Sequence, residues 1–308
     1  MPAVIAARRL SKWYGQVVGL LEADFELEAG VIGLLGPNGA GKSTLMALLT
    51  GQLQPSQGEA FVFGENAWNN PRLMLRLGLC PEQDAFYEWM TGVGFLTVLL
   101  CLHGYAEADA ERQALEALEI AGMKEHGRKK LGAMSKGMRQ RVKLAQALAH
   151  HPDVLVLDEP LNGMDPLGRR ETVELVKALG RAGKTVLISS HILHEVEAMT
   201  KSVLLVHNGR VKAHGNIHEI RELLDDHPRL VAIRCEDGRR LAQALVTRPD
   251  VVSVELPEDG GPLVAKTLKA DLFYSELPEV AAKLAIPISE ISSPDDNLAA
   301  VFDYLVKS

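Results

Sequence analysis

The sequence predicts an α/β fold with a smaller α+β segment behind it, and three observations carry that prediction. Over the first ~215 residues, short apolar runs alternate with stretches of helical periodicity, the pattern of a sheet with helices packed on it. Two of the runs, Val31-Ile32-Gly33-Leu34-Leu35 and Val154-Leu155-Val156-Leu157, are apolar without alternation, as strands covered on both faces are. After Asp225-Asp226-His227-Pro228, a turn-forming boundary, the pattern changes to short strands and helices. The expected domains are residues 1–220, with a helical part at about 84–150, and residues 228–308.

Each element follows from its own pattern. Residues 4–10 and 17–27 alternate as sheet-forming segments, and 31–35 is a buried strand. Residues 43–49 place Leu45, Leu48 and Leu49 at helical spacing, and Gly51 closes that helix. A turn at 55–58 precedes a strand at 60–63. From 87 to 149 the period is helical, with Leu115, Leu118 and Ala121 as the apolar positions of a helix over 110–121. Strands return at 154–157, 186–189 and 203–206. Asn208-Gly209 then signals a type I′ hairpin into a strand at 210–213, before a short charged helix at 217–224. In the second segment, strands at 230–235 and 251–256 alternate with helices at 239–246 and 276–284. This segment holds 9 basic against 13 acidic residues, a balance of −4.

Composition bounds the function classes. The chain has 308 residues, of which 47% are hydrophobic and 24% charged, and its net charge is −7. Its densest basic cluster is Arg128, Lys129 and Lys130, too small for a phosphate-backbone footprint, so no nucleic-acid partner is expected. Cys80, Cys101 and Cys235 are odd in number and far apart, which suits a reducing compartment and neither a disulfide framework nor a zinc site. The start, Met-Pro-Ala-Val, lacks a charged-then-apolar leader. The longest apolar stretch, 92–102, falls short of the about 20 residues that cross a bilayer, so any membrane role is expected to be peripheral.

Three motifs carry chemistry. Gly36-Pro37-Asn38-Gly39-Ala40-Gly41-Lys42-Ser43-Thr44 follows the strand at 31–35 and is G-x-x-x-x-G-K-[ST], a phosphate-binding loop. Its glycines let backbone N–H groups turn inward around a phosphate chain. Lys42 reaches the terminal phosphates, the Ser43 hydroxyl holds magnesium, and the following helix presents its positive end. A nucleoside triphosphate with Mg2+ is the ligand these residues predict. Asp158, 116 residues after Lys42, emerges at the C-terminal edge of a buried strand, where a carboxylate can position the metal. Glu159 directly follows and is placed to act as general base for the attacking water. Between them, Met134-Ser135-Lys136-Gly137-Met138 opens a helix with Ser135 as N-cap and free N–H groups behind it, a second phosphate-binding element.

In this order the motifs resemble the ABC ATPases, over roughly residues 4 to 220. That family's usual Leu-Ser-Gly-Gly-Gln signature stands here with Ser135 and Gly137 matching and Lys136 and Met138 departing. The altered form is similar to exporter ATPases that work with a separate membrane subunit, a group with many drug and antibiotic exporters. The resemblance implies a P-loop NTPase core with a helical subdomain and a small C-terminal α+β accessory domain. It implies that Tyr14 stacks on adenine, that Asp165 in Asn162-Gly163-Met164-Asp165 contacts an opposing subunit, and that His191 senses the γ-phosphate. Counting from Cys80-Pro81 puts Glu82 at the family's magnesium-linked Gln position, while Gln83 is the literal Gln; either side chain can reach the metal. Residues 293–302 resemble the closing segment of the accessory domain in these exporters.

The family mechanism sandwiches ATP between the P-loop of one subunit and the signature turn of another. It therefore implies a dimer, as a homodimer of this chain, with a separate transmembrane permease subunit as partner. The resemblance also implies the cytoplasmic face of the cell membrane as the place of work. The region at 84–105 corresponds to the family's groove for that membrane subunit, with Tyr87, Trp89 and Met90 as expected contacts. A non-transport ABC ATPase of translation or DNA repair is the rival reading. One nucleotide module, no sustained heptad run and an acidic balance weigh against it. An importer subunit is the nearer rival, and the signature form and the tail favour export.

Overall fold

Strands that are apolar throughout pair in parallel at the centre of the sheet, and the computed structural model shows which ones. It describes residues 3–222, 228–257, 261–294 and 302. The chain forms two compact units, Met1–Asn216 and Ile217–Ser308. In chain order the first holds β1 (Ile5–Tyr14), β2 (Val17–Leu27), β3 (Val31–Leu35), α1 (Lys42–Leu49), β4 (Gln57–Val62) and β5 (Glu65–Asn66). Next come α2 (Pro71–Met74), β6 (Leu77–Cys80), α3 (Gly92–Leu102), α4 (Glu107–Ile120), α5 (Lys136–Leu148) and β7 (Val154–Leu157). The unit ends with α6 (Pro166–Arg181), β8 (Thr185–Ser189), α7 (Leu193–Met199), β9 (Ser202–His207) and β10 (Arg210–Asn216).

Among the described residues the first unit holds two sheets. One has the order β10-β9-β3-β8-β7-β6, parallel except for the β9–β10 hairpin. Every residue of β7 and β8 is buried, which explains their unbroken apolar runs. The other is antiparallel, β2-β1-β4-β5, and packs its inward residues Ile5, Leu10, Leu20 and Phe25 on α1 and on the first sheet through a shared core. The order of the larger sheet places the ends of β3, β8 and β7 side by side, so three separate loops converge at one edge. The β9–β10 hairpin turns at Asn208 and Gly209, both with positive φ (49° and 72°), as a type I′ turn requires. Its tip reaches back: Gly209 N–H donates to Ala40 O at 2.9 Å, and its carbonyl accepts from Leu21 N–H at 2.7 Å.

Helices α3, α4 and α5 bury a separate apolar cluster built from Leu96, Leu100, Ala114, Leu118 and Val142. On α4 the inward positions are Ala110, Ala114, Ala117 and Leu118, while Leu115 is 39% exposed. The expectation for Leu115 is therefore corrected: the alanines, small enough for close helix packing, define the face, and Leu115 lies off it. Several elements differ from the sequence expectation. The first strand runs on to Tyr14, the strand expected at 60–63 starts at Gln57, and the 16-residue α6 was not anticipated.

The second unit opens with α8 (Ile217–Glu222), followed by β11 (Arg229–Cys235), α9 (Gly238–Leu245), β12 (Val251–Glu255), β13 (Leu263–Thr267), α10 (Ala270–Leu284) and β14 (Ile288–Ser292). Its antiparallel sheet has the order β12-β13-β11-β14, the split β-α-β arrangement of ferredoxin-like folds. Val231, Ile233, Leu241, Leu245, Phe273 and Leu277 fill its core. Arg248 ties the sheet to α10, bonding Asp250 at 2.9 Å and Glu276 at 2.8 Å. Strands β13 and β14 were not anticipated, and α10 starts six residues earlier than the helix expected at 276–284. The end of the helix expected at 217–224, the boundary at 225–227, and residues 295–301 of the expected closing segment lie outside the described residues.

Candidate active site

The loop between β3 and α1 has the geometry its glycines permit. Gly41 has φ 108°, and a Cβ there would fall 2.4 Å from Gly19 O, so the position admits glycine alone. Lys42 is 7% exposed, and its ammonium donates to Gly36 O (2.7 Å) and Pro37 O (3.2 Å), which holds the side chain along its own loop. A cleft of about 440 Å³ opens over this loop, lined by Tyr14, Asn38 to Thr44, Glu82, Asp158 and Glu159. Of residues 36–44, Asn38 to Thr44 line the cleft, while Gly36 is buried and Pro37 exposed at the loop's start.

Tyr14 ends β1 at the mouth of the cleft and is 49% exposed. Its hydroxyl lies 3.4 Å from Thr44 Oγ1, and a Cβ on Gly19 would meet its ring at 2.7 Å. The ring edge thus lies against Gly19, and the Lys12 ammonium sits over the ring at 5.7 Å from its centroid. Val17 and Val18, at the start of β2, line the same cleft and are 67% and 43% exposed. The sequence reading missed them because, as part of an alternating strand, they carry no motif.

The acidic end of β7 forms a connected network with the end of β8. Asp158 and Glu159 are 8% and 9% exposed. Ser189 Oγ donates to Asp158 Oδ1 at 2.6 Å, and Glu159 N–H donates to the same hydroxyl at 2.8 Å. His191 Nδ1 lies 2.8 Å from Glu159 Oε2. A carboxylate only accepts, so Nδ1 carries the proton of that bond. The loop after β8 is anchored in turn: Ser190 Oγ donates to Glu195 Oε2 (3.1 Å), and Arg169 of α6 pairs with Glu195 (3.0 Å).

Glu82 and Gln83 separate here. Glu82 lines the cleft and also the adjoining cavity beside Ser43 and Asp158, whereas Gln83 lines only that cavity. The Glu82 backbone is pinned by Lys143 of α5, which is 2% exposed and donates to Glu82 O (2.6 Å) while pairing with Asp84 (3.1 Å). Cys80, just before, is fully buried, and burial pushes its thiol up to about 12, so it stays protonated and inert.

Ser135 and Gly137 do not join this cleft. Ser135 is exposed and caps α5, its Oγ accepting from Met138 N–H at 3.3 Å. A Cβ on Gly137 would lie 3.1 Å from Gly163 O, so the signature turn packs against the loop that carries Asp165. Asp165 is exposed and caps α6, accepting from Gly168 N–H at 3.2 Å, with Pro166 in the first turn. Met90, expected as an exposed contact, is half-buried against the α3–α5 core. Tyr87 and Trp89 are 63% and 72% exposed.

The donor set fits a nucleoside triphosphate with a hard cation. Ser43, Asp158 and Glu82 offer oxygen alone, and among the described residues no three His, Cys, Asp or Glu side chains form a ready metal cage. Mg2+ is commonly held this way, by one or two carboxylates plus substrate phosphates. The ABC transporter family profile matches residues 20–162. The chain is 30% identical to the bacitracin transport ATP-binding protein BcrA of Bacillus licheniformis, over 100% of this chain and 97% of that protein. It is 32% identical to the daunorubicin/doxorubicin resistance ATP-binding protein DrrA of Streptomyces peucetius, over 78% of this chain and 72% of that one. A solved ATP-binding subunit of an ABC transporter superposes with a TM-score of 0.65 at 29% identity, over 72% of this chain and 93% of that one. The chain accordingly belongs to the ABC transporter family, as one of its ATP-binding, ATP-hydrolysing subunits.

Proposed function

We propose that this subunit drives export across a membrane by closing on a second copy of itself around ATP and moving a separate permease subunit. One observation carries the reading. The P-loop, Asp158, Glu159 and His191 form a single site, while the turn at Ser135–Gly137 lies outside it, with Ser135 exposed. Each chain therefore offers one half of a site to a partner and needs the other half in return. The bacitracin and daunorubicin relatives, the first of which aligns over the whole chain, favour export over import.

In this reading Tyr14 stacks on the adenine and the backbone of residues 36–44 encircles the phosphates. Lys42 exchanges its loop carbonyls for the terminal phosphate oxygens. Ser43, Asp158 and Glu82 would hold Mg2+, which neutralises charge developing on the transferred phosphoryl group. Glu159 takes the proton of the attacking water. His191 fixes the Oε2 side of that carboxylate, leaving the other oxygen for the water. Ser135, the N–H groups after it, and Asp165 meet the nucleotide of the opposing subunit.

Among the described residues no helix is long and apolar enough to cross a membrane. Docking to the permease falls to the surface near the helical part. An apolar cleft of about 440 Å³ lies there, lined by Leu77, Leu79, Leu96, Leu99 and Leu100. With Tyr87 and Trp89 exposed nearby in sequence, this is the surface we assign to the permease at the cytoplasmic face of the membrane. The test is affinity purification of the full chain from membranes. A multi-spanning partner released together with the subunit supports the reading, and ribosomes or DNA in its place would overturn it.

A further inference from the structure

Ser189 closes β8 and is fully buried, at 0% exposure. It pairs with Leu34 of the P-loop strand, one residue past the Leu157–Ile188 pair that joins β8 to β7. The sheet thus delivers one hydroxyl between the phosphate loop and the acidic strand end. That hydroxyl donates to Asp158 Oδ1 and accepts from Glu159 N–H, two tasks that a group with one proton and free lone pairs performs at once.

The two bonds constrain different things. With Oδ1 engaged, Oδ2 is the Asp158 oxygen left for the cleft that this carboxylate lines. The other bond holds a backbone turn. Glu159 has φ 48°, in the left-handed region that residues with side chains rarely adopt. Its N–H is held by Ser189, and its carbonyl accepts from Asn162 N–H (3.1 Å) and Gln140 Nε2 (3.4 Å). His191, two residues beyond Ser189, grips the Glu159 carboxylate itself. The segment 189–191 therefore holds the Asp158–Glu159 pair at three points.

We infer that Ser189 is a positioning residue for ATP hydrolysis: it selects the Asp158 oxygen offered to magnesium and holds the turn that aims Glu159 at water. The inference rests on the roles proposed above for Asp158 and Glu159. Ser189→Ala removes both bonds without adding bulk, and Ser189→Thr keeps the hydroxyl.

The experiment compares wild type and both variants as full chains, together with Asp158→Asn and Glu159→Gln. It reads ATP turnover, and the Mg2+ dependence of binding of a fluorescent ATP analogue, with binding in EDTA as the check on folding. For Ser189→Ala, turnover falls by about 10- to 100-fold, and the Mg2+ concentration for half-maximal binding rises by about tenfold, the scale for partners that orient a metal ligand. Binding in EDTA stays within about twofold of wild type, and Ser189→Thr recovers most of the turnover. The Ala variant alone carries the Mg2+ readout, so the test holds even where the extra methyl of Thr prevents folding.

The inference is overturned by turnover within about twofold of wild type in Ser189→Ala, or by a turnover loss without a shift in Mg2+ dependence. A matching loss of binding in EDTA would also overturn it, since that marks general damage. Turnover retained in Glu159→Gln or Asp158→Asn would remove the underlying site assignment instead, whatever Ser189 does.

Discussion

The two phosphate-facing regions of the nucleotide unit are built in opposite ways. At the P-loop and the end of β7, three of the reactive groups are engaged within the chain: Lys42 with loop carbonyls, Asp158 with Ser189, Glu159 with His191. The groups are buried, so their polar atoms must find partners there. At the signature turn, Ser135 is exposed and engaged only with its own helix. At its acidic end the first region holds its carboxylates in place before any ligand arrives, and fixed charges need no rearrangement at the moment of reaction. The second is a cap whose remaining N–H groups await an anion. Under the proposed function, this contrast makes assembly, and not formation of the catalytic residues, the step on which hydrolysis waits.

Substitutions in both regions test that contrast. The largest effect is expected from Glu159→Gln, which should lower turnover by about 10²- to 10⁴-fold, the range for loss of a general base. ATP binding should persist, and size-exclusion chromatography with light scattering should show an ATP-dependent dimer. A monomer at saturating ATP would break the two-halves reading.

Lys42→Ala should weaken ATP binding by about 10- to 100-fold in calorimetry, the scale of a lost charge-assisted contact. Ser135→Ala should leave the ATP affinity of the single chain within about twofold while reducing dimer formation and turnover, because its effect on the chain itself is limited to a helix cap of about 1 kcal/mol. Mixing the two variants sharpens the comparison, since a mixed dimer keeps one composite site free of both changes. Turnover above that of either variant alone is the expected result; no gain on mixing would argue against sites shared between chains.

A smaller effect is expected where the two regions are joined. Lys143 lies on the helix that the signature turn opens, and it pins the backbone of Glu82 in the cleft. Lys143→Met should cost about 1–3 kcal/mol in urea unfolding, because the Glu82 carbonyl and the Asp84 carboxylate both lose a charged partner. It should also reduce turnover more than ATP affinity, because the change frees a cleft residue that faces the metal site and not the adenine. Equal losses in both would make Lys143 a structural cation only.

The smallest effect lies outside the nucleotide unit. Burial alone would raise the Asp250 carboxyl, but hydrogen bonding and charge from Arg248 outweigh it and hold the group below its ordinary 3.8. A depressed carboxyl contributes stability that is complete above the unfolded value and is lost as pH falls through the folded one. Acid unfolding of the second unit, followed by circular dichroism of the full chain, should therefore lose a component below about pH 4 in Asp250→Asn relative to wild type. An unchanged profile would detach this pair from stability.

What the sequence made legible was local. The P-loop, the apolar runs of β3 and β7, the Asn208-Gly209 hairpin and the Ser135 cap each announce themselves in a few adjacent residues. The helix α6 had its own start signal, Asp165 followed by Pro166, which the reading of that stretch as a contact loop obscured. Ser189 and Lys143 were not legible for a different reason. Ser189 reads as an ordinary strand-end serine until strand pairing brings it to Asp158, 31 residues away in sequence. Lys143 reads as a solvated helix position, and only packing of α5 against the segment at 80–84 shows it to be buried. The error at Leu115 came from weighing hydrophobicity above size in a helix whose inner face is lined largely with alanine.

The β9–β10 hairpin sets a practical limit on how this chain can be shortened. Its tip supplies a donor to Ala40 and an acceptor to Leu21, so the phosphate loop leans on residues some 170 positions later. A nucleotide-binding fragment cut before the hairpin would keep every motif and lose the prop beneath the first of them. The shortest version that keeps this support runs through Asn216, where the strand carrying it ends.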